Sequence, residues 1–186
     1  MAQTLQAPRF DSGTLFAAAE SSLLAPYELT PLKLECVLGR LFRHRLDYAD
    51  LYFQYQRSES WGLEEGMVKS GSFSIEQGVG VRAVSGEKTA FAYSDDISLP
   101  ALESAASATR AIAAQGSSKL IPMLTGLKRR PLYVASDPIA SLSDTDKVSL
   151  LERLEQFARK ADSRVVEVTA HIVGLYDVVL VARSDG

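Results

Sequence analysis

The sequence is poor in the residues that most often build disulfide frameworks and metal sites. It has one cysteine, Cys36, and two histidines, His44 and His171, among 186 residues. One cysteine excludes an internal disulfide and is typical of a reducing compartment, so we expect a cytoplasmic protein. The two histidines are far apart in the chain, and neither stands at ligand spacing from the other or from Cys36. The residue types and their spacing therefore predict no metal site in this chain.

The sequence also lacks a membrane-spanning run and a strong charge of either sign. No apolar stretch approaches the roughly 18 residues that a membrane span requires, and no basic segment precedes an apolar one as in a secretory signal. Twenty Lys and Arg against 23 Asp and Glu leave a net charge of -3, so nucleic-acid binding is not expected. The one basic run, Lys128-Arg129-Arg130, is typical of a solvated loop.

Helical periodicity is present in four segments. Two of them lie in the first third of the chain, at Thr14–Leu24 and from Pro31, where Thr30 is the predicted N-cap. The third is Leu99–Gln115, and the fourth begins after Ser143. The predicted buried faces are Leu34, Val37, Leu38, Leu41 and Phe42; then Leu102, Ala105, Ala106, Thr109, Ile112 and Ala113; then Leu150, Leu151, Leu154, Phe157, Ala158 and Ala161.

Between the second and third helices the hydrophobic period changes to two, which indicates strands. The predicted strands are Ala49–Ser58, Ser60–Glu64, one from Met67, Ser72–Gln77, Val79–Ser85, Thr89–Tyr93, and later Arg164–Val173 and Tyr176–Arg183 as a hairpin bent at Gly174. Connections as short as Glu65-Gly66 can join only antiparallel strands. The expected fold class is therefore α+β, an antiparallel meander with helices packed on one face of the sheet.

Three groups of residues could carry chemistry, and each also has a structural explanation. Residues 78–83 fit a G-x-G-x-x-A dinucleotide pattern, but a strand continues through them, so Gly78 and Gly80 instead indicate a bulge or a close backbone approach. The acidic pairs at 64–65 and 95–96 are typical of solvated turns. Trp61 could fill the core or form a wall of a peptide groove, and the sequence leaves both open.

Three segments, LDYADLYFQ at 46–54, ESWGLE at 59–64 and IEQGVGVRAVSGEKTAFAYSDDIS at 75–98, resemble the N-terminal part of the TldD/PmbA family of metallopeptidases, whose older label is "modulator of DNA gyrase". The resemblance extends over about residues 29–186 and is densest over 46–98. It implies two regions: residues 1–28 as a poorly defined arm with a first helix, and residues 29–186 as one α+β domain that is incomplete at its C-terminal end.

The resemblance further implies a cytoplasmic zinc metallopeptidase that acts on unfolded peptides together with a PmbA/TldE partner subunit. Because the family's His-Glu-x-x-x-His helix lies beyond Gly186, we expect this chain alone to bind no zinc and to cleave no peptide. Its expected role is that of a scaffold and substrate channel, with Trp61, Gly78 and Gly80 as candidate channel residues and no catalytic residue assigned. The alternatives are a non-catalytic PmbA-like partner subunit and a modulator of DNA gyrase.

Overall fold

A computed structural model of the chain describes residues 12–42, 46–110 and 136–185. The elements are α1 (Ser12–Leu23), a 3-10 turn (Ala25–Tyr27), α2 (Pro31–Leu41), β1 (Tyr48–Glu64), β2 (Met67–Ser85), β3 (Lys88–Ser94), α3 (Leu99–Thr109), α4 (Asp144–Ala161) and β4 (Thr169–Arg183). The strands form one antiparallel sheet in the order β3-β2-β1-β4, and helices pack against it. The predicted α+β class is confirmed. None of the helices in the described ranges has the length and apolar character that crossing a membrane requires.

The chain divides into two compact units that share strands β1, β2 and β4. The first unit comprises Met1–Tyr55, Gln77–Ala135 and Val178–Gly186, and the second comprises Gln56–Glu76 and Ser136–Asp177.

The first unit contains the hydrophobic core cluster, and α2 and α3 begin where the sequence predicts, whereas α1 begins at Ser12 instead of the predicted Thr14. The Thr30 hydroxyl accepts a hydrogen bond from the Lys33 amide at 3.4 Å, and the Ser98 hydroxyl accepts one from Ala101 at 3.2 Å. Helix α3 packs against α2 and β3. The buried residues of the two helices confirm most of the predicted faces: Leu34, Val37, Leu38 and Leu41 of α2, and Leu102, Ala105, Ala106 and Thr109 of α3. Ile112 and Ala113 lie outside the described residues.

The series of short strands predicted between residues 49 and 85 is instead two long strands, β1 and β2. Serine hydroxyls continue the cross-strand contacts where apolar side chains are missing: Ser58 meets Ser74 at 2.7 Å, and Ser60 meets Ser72 at 2.8 Å. Such cross-strand hydroxyl pairs stabilise a sheet without a buried apolar face. The predicted turn between β1 and β2 is confirmed.

The predicted hairpin between residues 164 and 183 is wrong. A single strand, β4, runs from Thr169 to Arg183 with no turn at Gly174. Its contacts are with β1, since the Ser184 amide donates to the Ala49 carbonyl at 2.9 Å. Gly174 does not bend the strand. Its lack of a side chain leaves space for Glu59 and Ile139, because a Cβ there would lie 3.2 Å from side-chain atoms of both residues.

Helix α4 begins at its predicted cap but buries a different face from the predicted one. The Ser143 hydroxyl accepts from the Asp146 amide at 3.2 Å. The buried residues are Lys147, Leu151 and Glu155, whereas Leu154 is 48% exposed and Phe157 is 74% exposed. Charged residues can occupy the buried face because each has an ionic partner: Lys147 pairs with Glu59, and Glu155 pairs with Arg159.

Candidate functional site

The second unit contains an open cleft of about 590 Å³ between its strands and helix α4. Strands β1 and β2 form the floor, and the segment before α4 and the first turn of α4 form the opposite wall. The lining residues are Glu59, Trp61, Gly71, Ser72, Phe73, Ile139, Ala140, Leu142, Asp144 and Lys147.

Trp61 lies in this cleft against the backbone of Gly71. A Cβ atom on Gly71 would stand 3.6 Å from Cε3 of the Trp61 ring, which is ordinary van der Waals contact. The ring is half-buried, and within the described ranges its indole Nε1 is buried without a hydrogen-bond acceptor. Phe73 and Leu142 are 59% and 44% exposed, so the cleft presents apolar side chains to solvent.

A buried ion pair is part of the lining of the cleft. Lys147 Nζ donates to Glu59 Oε1 at 2.7 Å and to the Ile139 carbonyl at 3.0 Å, and both charged side chains are more than nine-tenths buried. The hydrogen bond to Glu59 raises the pKa of Lys147 above its ordinary value. These two charges cancel each other. The Asp144 carboxylate is 75% exposed and also pairs with Lys147, whose Nζ lies at 3.6 Å.

Gly78 and Gly80 belong to the first unit, whereas Trp61 belongs to the second, so the three predicted channel residues do not form one site within either unit. A Cβ on Gly78 would stand 2.6 Å from the Ser94 carbonyl oxygen, and one on Gly80 would stand 2.8 Å from the Phe91 ring. The atoms that approach both glycines belong to the neighbouring strand β3 or directly follow it.

The other sequence candidates lie on turns and strands. Residues 78–83 continue within β2, as the sequence predicts, without a helix at their end. The acidic pair at 95–96 precedes α3, where Asp96 accepts from the Ser98 hydroxyl at 2.6 Å. His171 is exposed on β4, while His44 and the basic run at 128–130 lie outside the described residues. In residues 12–42, 46–110 and 136–185, no three His, Cys, Asp or Glu side chains converge as metal ligands, so we assign no zinc site there.

A polar cluster in the first unit joins β1, β2 and the end of β4. Arg82 Nε donates to the buried carboxylate of Asp50 at 2.9 Å, and the Arg82 and Arg183 guanidinium groups lie 5.5 and 5.9 Å from the Tyr48 ring centroid. Burial, reinforced by Asp50, raises the pKa of Tyr48. Arg183 is also paired with Asp185. Because both guanidinium groups already have carboxylate partners, we interpret this cluster as structural.

Several residues of the cleft were missed by sequence reasoning. Lys147 resembles a solvated residue in the first turn of a helix, and Glu59 stands in an alternating strand between two polar residues. A cleft depends on which side chains of distant segments face each other, so the available signal was only the lone tryptophan.

Comparison with known proteins gives matches along most of the chain. Residues 49–113 match the model of the PmbA/TldA metallopeptidase domain 1, and residues 137–186 match that of the PmbA/TldA metallopeptidase central domain. A Haemophilus influenzae protein described as a metalloprotease TldD homolog is 42% identical over 168 residues, which are 89% of this chain and 35% of that protein. The chain spans about a third of the length of the curated relatives that it matches.

Two crystal structures share the fold at low sequence identity. A Bacteroides thetaiotaomicron protein described as a modulator of DNA gyrase superimposes with a TM-score of 0.55 at 14% identity, covering 83% of this chain and 36% of that one. TldE from Thermococcus kodakarensis superimposes with a TM-score of 0.53 at 13% identity, covering 82% of this chain and 35% of that one. At these identities the likeness is one of fold.

Proposed function

Because the chain belongs to the PmbA/TldD metallopeptidase family, we propose that it is the N-terminal scaffold and substrate-channel part of a TldD-type zinc metallopeptidase. The proposal rests on the order of two matches to domains of this family, first at residues 49–113 and then at residues 137–186. The chain is also 42% identical to a metalloprotease TldD homolog. We further propose that the enzyme works in the cytoplasm on unfolded peptides, with a PmbA/TldE-like partner subunit. The zinc ligands would be supplied by residues outside this chain.

The sheet supports a role in holding extended peptides. In the order β3-β2-β1-β4, strands β3 and β4 each have a neighbour on one side only among the described strands. An extended peptide that pairs with such an edge is held by backbone hydrogen bonds, which do not depend on the identity of its side chains. Recognition of this kind suits a peptidase that acts on unfolded substrates.

A non-catalytic partner subunit is the second candidate function. The likeness to TldE from Thermococcus kodakarensis means that this fold is also present in a protein of that name. The fold of the described residues is therefore compatible with either subunit. A His-Glu-x-x-x-His helix in the downstream sequence would favour the enzyme.

The test uses the full-length protein, alone and mixed with the PmbA/TldE-like subunit of the same organism. We expect about one zinc per full-length chain by elemental analysis. We also expect cleavage of an unstructured peptide, followed by mass spectrometry, that stops with a chelator and returns with added zinc. A full-length protein that holds no zinc and cleaves nothing in either mixture would overturn the peptidase proposal and favour the non-catalytic subunit.

A further inference from the structure

Helix α4 packs on the strands of the second unit through a face that is largely ionic. Its buried residues are Lys147, Leu151 and Glu155. Lys147 pairs with Glu59 of β1, and a Cβ on Gly66 in the β1–β2 turn would lie 3.2 Å from Glu155 Oε2. This face of the helix is therefore already occupied by β1 and the turn that follows it.

A second face of α4 carries an apolar stripe that the described part of the chain leaves exposed. The α4 stripe consists of four residues at spacings of four, three and four: Leu150, Leu154, Phe157 and Ala161. Leu154 is 48% exposed, Phe157 is 74% exposed, and Ala161 is also exposed. A surface helix normally turns such a stripe toward its own core. This spacing is also the one by which a helix packs against a second helix.

The edge of the α4 stripe beside Phe157 is basic. Arg153 is four residues before Phe157 and Lys160 is three residues after it, so both lie next to this residue on the helix surface. Both cations are exposed, and neither pairs with a carboxylate in the described ranges. The third charged residue of this edge is Asp146, which accepts a hydrogen bond from the Ser143 hydroxyl at 2.6 Å at the start of the helix.

These two cations distinguish among the occupants that could cover the stripe. Residues 111–135 contain four basic residues and no acidic one, so they would bring like charge to this edge. Two copies of α4 in antiparallel pairing, with Leu154 opposite Phe157, would place Arg153 beside the second copy's Lys160, and like charges disfavour that arrangement. A helix with carboxylates beside its apolar residues complements both the stripe and its basic edge.

We propose that the α4 stripe docks an amphipathic helix of the PmbA/TldE-like partner subunit. That helix has apolar residues at three- and four-residue spacing, which pack on Leu154 and Phe157, and Asp or Glu residues on one edge, which pair with Arg153 and Lys160. The inference rests on the partner subunit in the proposed function and adds to it the contact surface and the chemistry of the contact.

The first test measures whether the partner subunit covers the stripe. Full-length Ala161→Cys is treated with a maleimide, alone and with an excess of the PmbA/TldE-like subunit of the same organism, and labelling at position 161 is followed by mass spectrometry. We expect the protein alone to react as fast as Glu87→Cys, an exposed position in the β2–β3 turn. In the complex, labelling at 161 should slow by at least about tenfold because the core of an interface excludes solvent, while labelling at 87 should not change.

Variants of the stripe separate the apolar contribution from the ionic one, with the affinity of the two full-length subunits measured by titration calorimetry. Phe157→Ser should weaken the complex at least about tenfold, as the loss of a central aromatic anchor does. The double variant Arg153→Glu/Lys160→Glu should weaken it at least about fivefold at low salt, and less as the salt concentration rises.

Matched controls have the same chemistry at a distance from the stripe. Tyr93→Ser removes an aromatic side chain that is 80% exposed on β3, and Lys69→Glu/Lys88→Glu reverses two exposed cations with the same change in net charge. Both controls should bind the partner subunit like the original protein. Phe157→Ser alone should unfold within about 2 °C of the original protein, because an exposed ring contributes little to the folded state.

Slow labelling at position 161 in the full-length protein alone would mean that its own chain or a second copy covers the stripe, and would overturn the inference. Unchanged labelling in a complex that size-exclusion chromatography shows to form would also overturn it, but would leave the proposed partner subunit standing. If the two subunits form no complex, the inference and the proposed partner both fail. Zinc-dependent cleavage by the full-length protein alone would then leave the peptidase function standing.

Discussion

At the scale of single residues, Lys147 illustrates how a charged side chain becomes part of an interior. Lysine is rarely buried unless it is paired. Here its ammonium group has the Glu59 carboxylate at 2.7 Å and the Ile139 carbonyl at 3.0 Å, so two of its three donors have close acceptors. The pair holds the first turn of α4 against β1. Without Lys147, the buried Glu59 carboxylate would lose this cation.

Replacing one member of this pair should destabilise the protein more than replacing both. Lys147→Met leaves the Glu59 carboxylate buried without a cation, and we expect the midpoint of thermal unfolding to fall by more than about 5 °C. The double variant Glu59→Leu/Lys147→Met should recover much of that loss. The control is Lys69→Met, since Lys69 is exposed on β2. Additive effects of the two single changes would contradict the coupling.

The same pair predicts a pH dependence of stability. The hydrogen bond to Glu59 raises the pKa of Lys147 in the folded protein. A raised lysine pKa contributes stability that is fully present below the unfolded-state value of about 10.4 and is lost as pH rises through the higher folded value. Alkaline unfolding of the original protein should therefore show a loss that Glu59→Leu/Lys147→Met lacks. Parallel pH profiles of the two proteins would contradict this assignment.

Two glycines of β2 should respond differently to the same substitution. Gly78→Ala places a Cβ 2.6 Å from the backbone oxygen of Ser94, which cannot move without disturbing β3. Gly80→Ala places one 2.8 Å from the ring of Phe91, which is 60% exposed and can swing away. We expect a loss of about 1–3 kcal/mol in unfolding free energy for Gly78→Ala and under about 1 kcal/mol for Gly80→Ala, measured in urea. The reverse order would be inconsistent with this explanation.

At the scale of elements, the long strands depend on two tight turns with different backbone requirements. Gly86 in the β2–β3 turn has a φ of 59°, and its amide donates to the Asp47 carboxylate at 2.6 Å. In the β1–β2 turn both Glu65 and Gly66 have positive φ, at 50° and 77°. Two positive angles are what a type I′ turn requires, and Asn-Gly is its preferred sequence. Glu65 is therefore a poor residue for its own turn.

Replacing Glu65 should stabilise this hairpin. Glu65→Asn relieves the cost of a left-handed backbone at a residue with a long side chain, and we expect a gain of about 0.5–1 kcal/mol in unfolding free energy. The gain should appear in urea unfolding with an unchanged slope. Glu64→Asn, one position earlier on β1, should give no gain because that residue is in a strand. A destabilised Glu65→Asn would mean that the glutamate side chain contributes more than the turn costs.

At the scale of the whole molecule, hydrophobic burial is unequal between the two units. The buried cluster of the first unit combines α1, α2 and α3 with parts of β1, β2 and β4. In the second unit, the buried apolar residues among those described are Leu63, Ile139 and Leu151, and a buried ion pair takes the place of further apolar contacts. Regions with few buried apolar contacts open at lower free energy than a protein's main core.

Amide hydrogen exchange should reveal this difference within one strand. We expect the amides of residues 68–76 in β2 to exchange at least about tenfold faster than those of residues 79–84 in the same strand. Mass spectrometry of peptic fragments from the full-length protein measures both segments in one experiment. Equal protection along β2 would show that the strand opens as one cooperative unit.

The helices and turns can be predicted from the sequence because their causes are local. Thr30 and Ser98 cap the next turn of chain, and the periodicity of α2 and α3 already marks their buried residues. Short turns between alternating segments require antiparallel strands, which was enough for the α+β class. The family resemblance was likewise carried by contiguous segments.

Contacts made in the folded chain determine which face of α4 is buried, that β4 is one strand, and that a cleft forms beside Trp61. Each of these depends on a partner distant in sequence: Glu59 for Lys147, β1 for β4, and the segment before α4 for the strands that line the cleft. Periodicity assigns a lysine to solvent and a leucine to the core. A charge with an ionic partner across the fold reverses that assignment, because pairing and hydrogen bonding offset the cost of its burial.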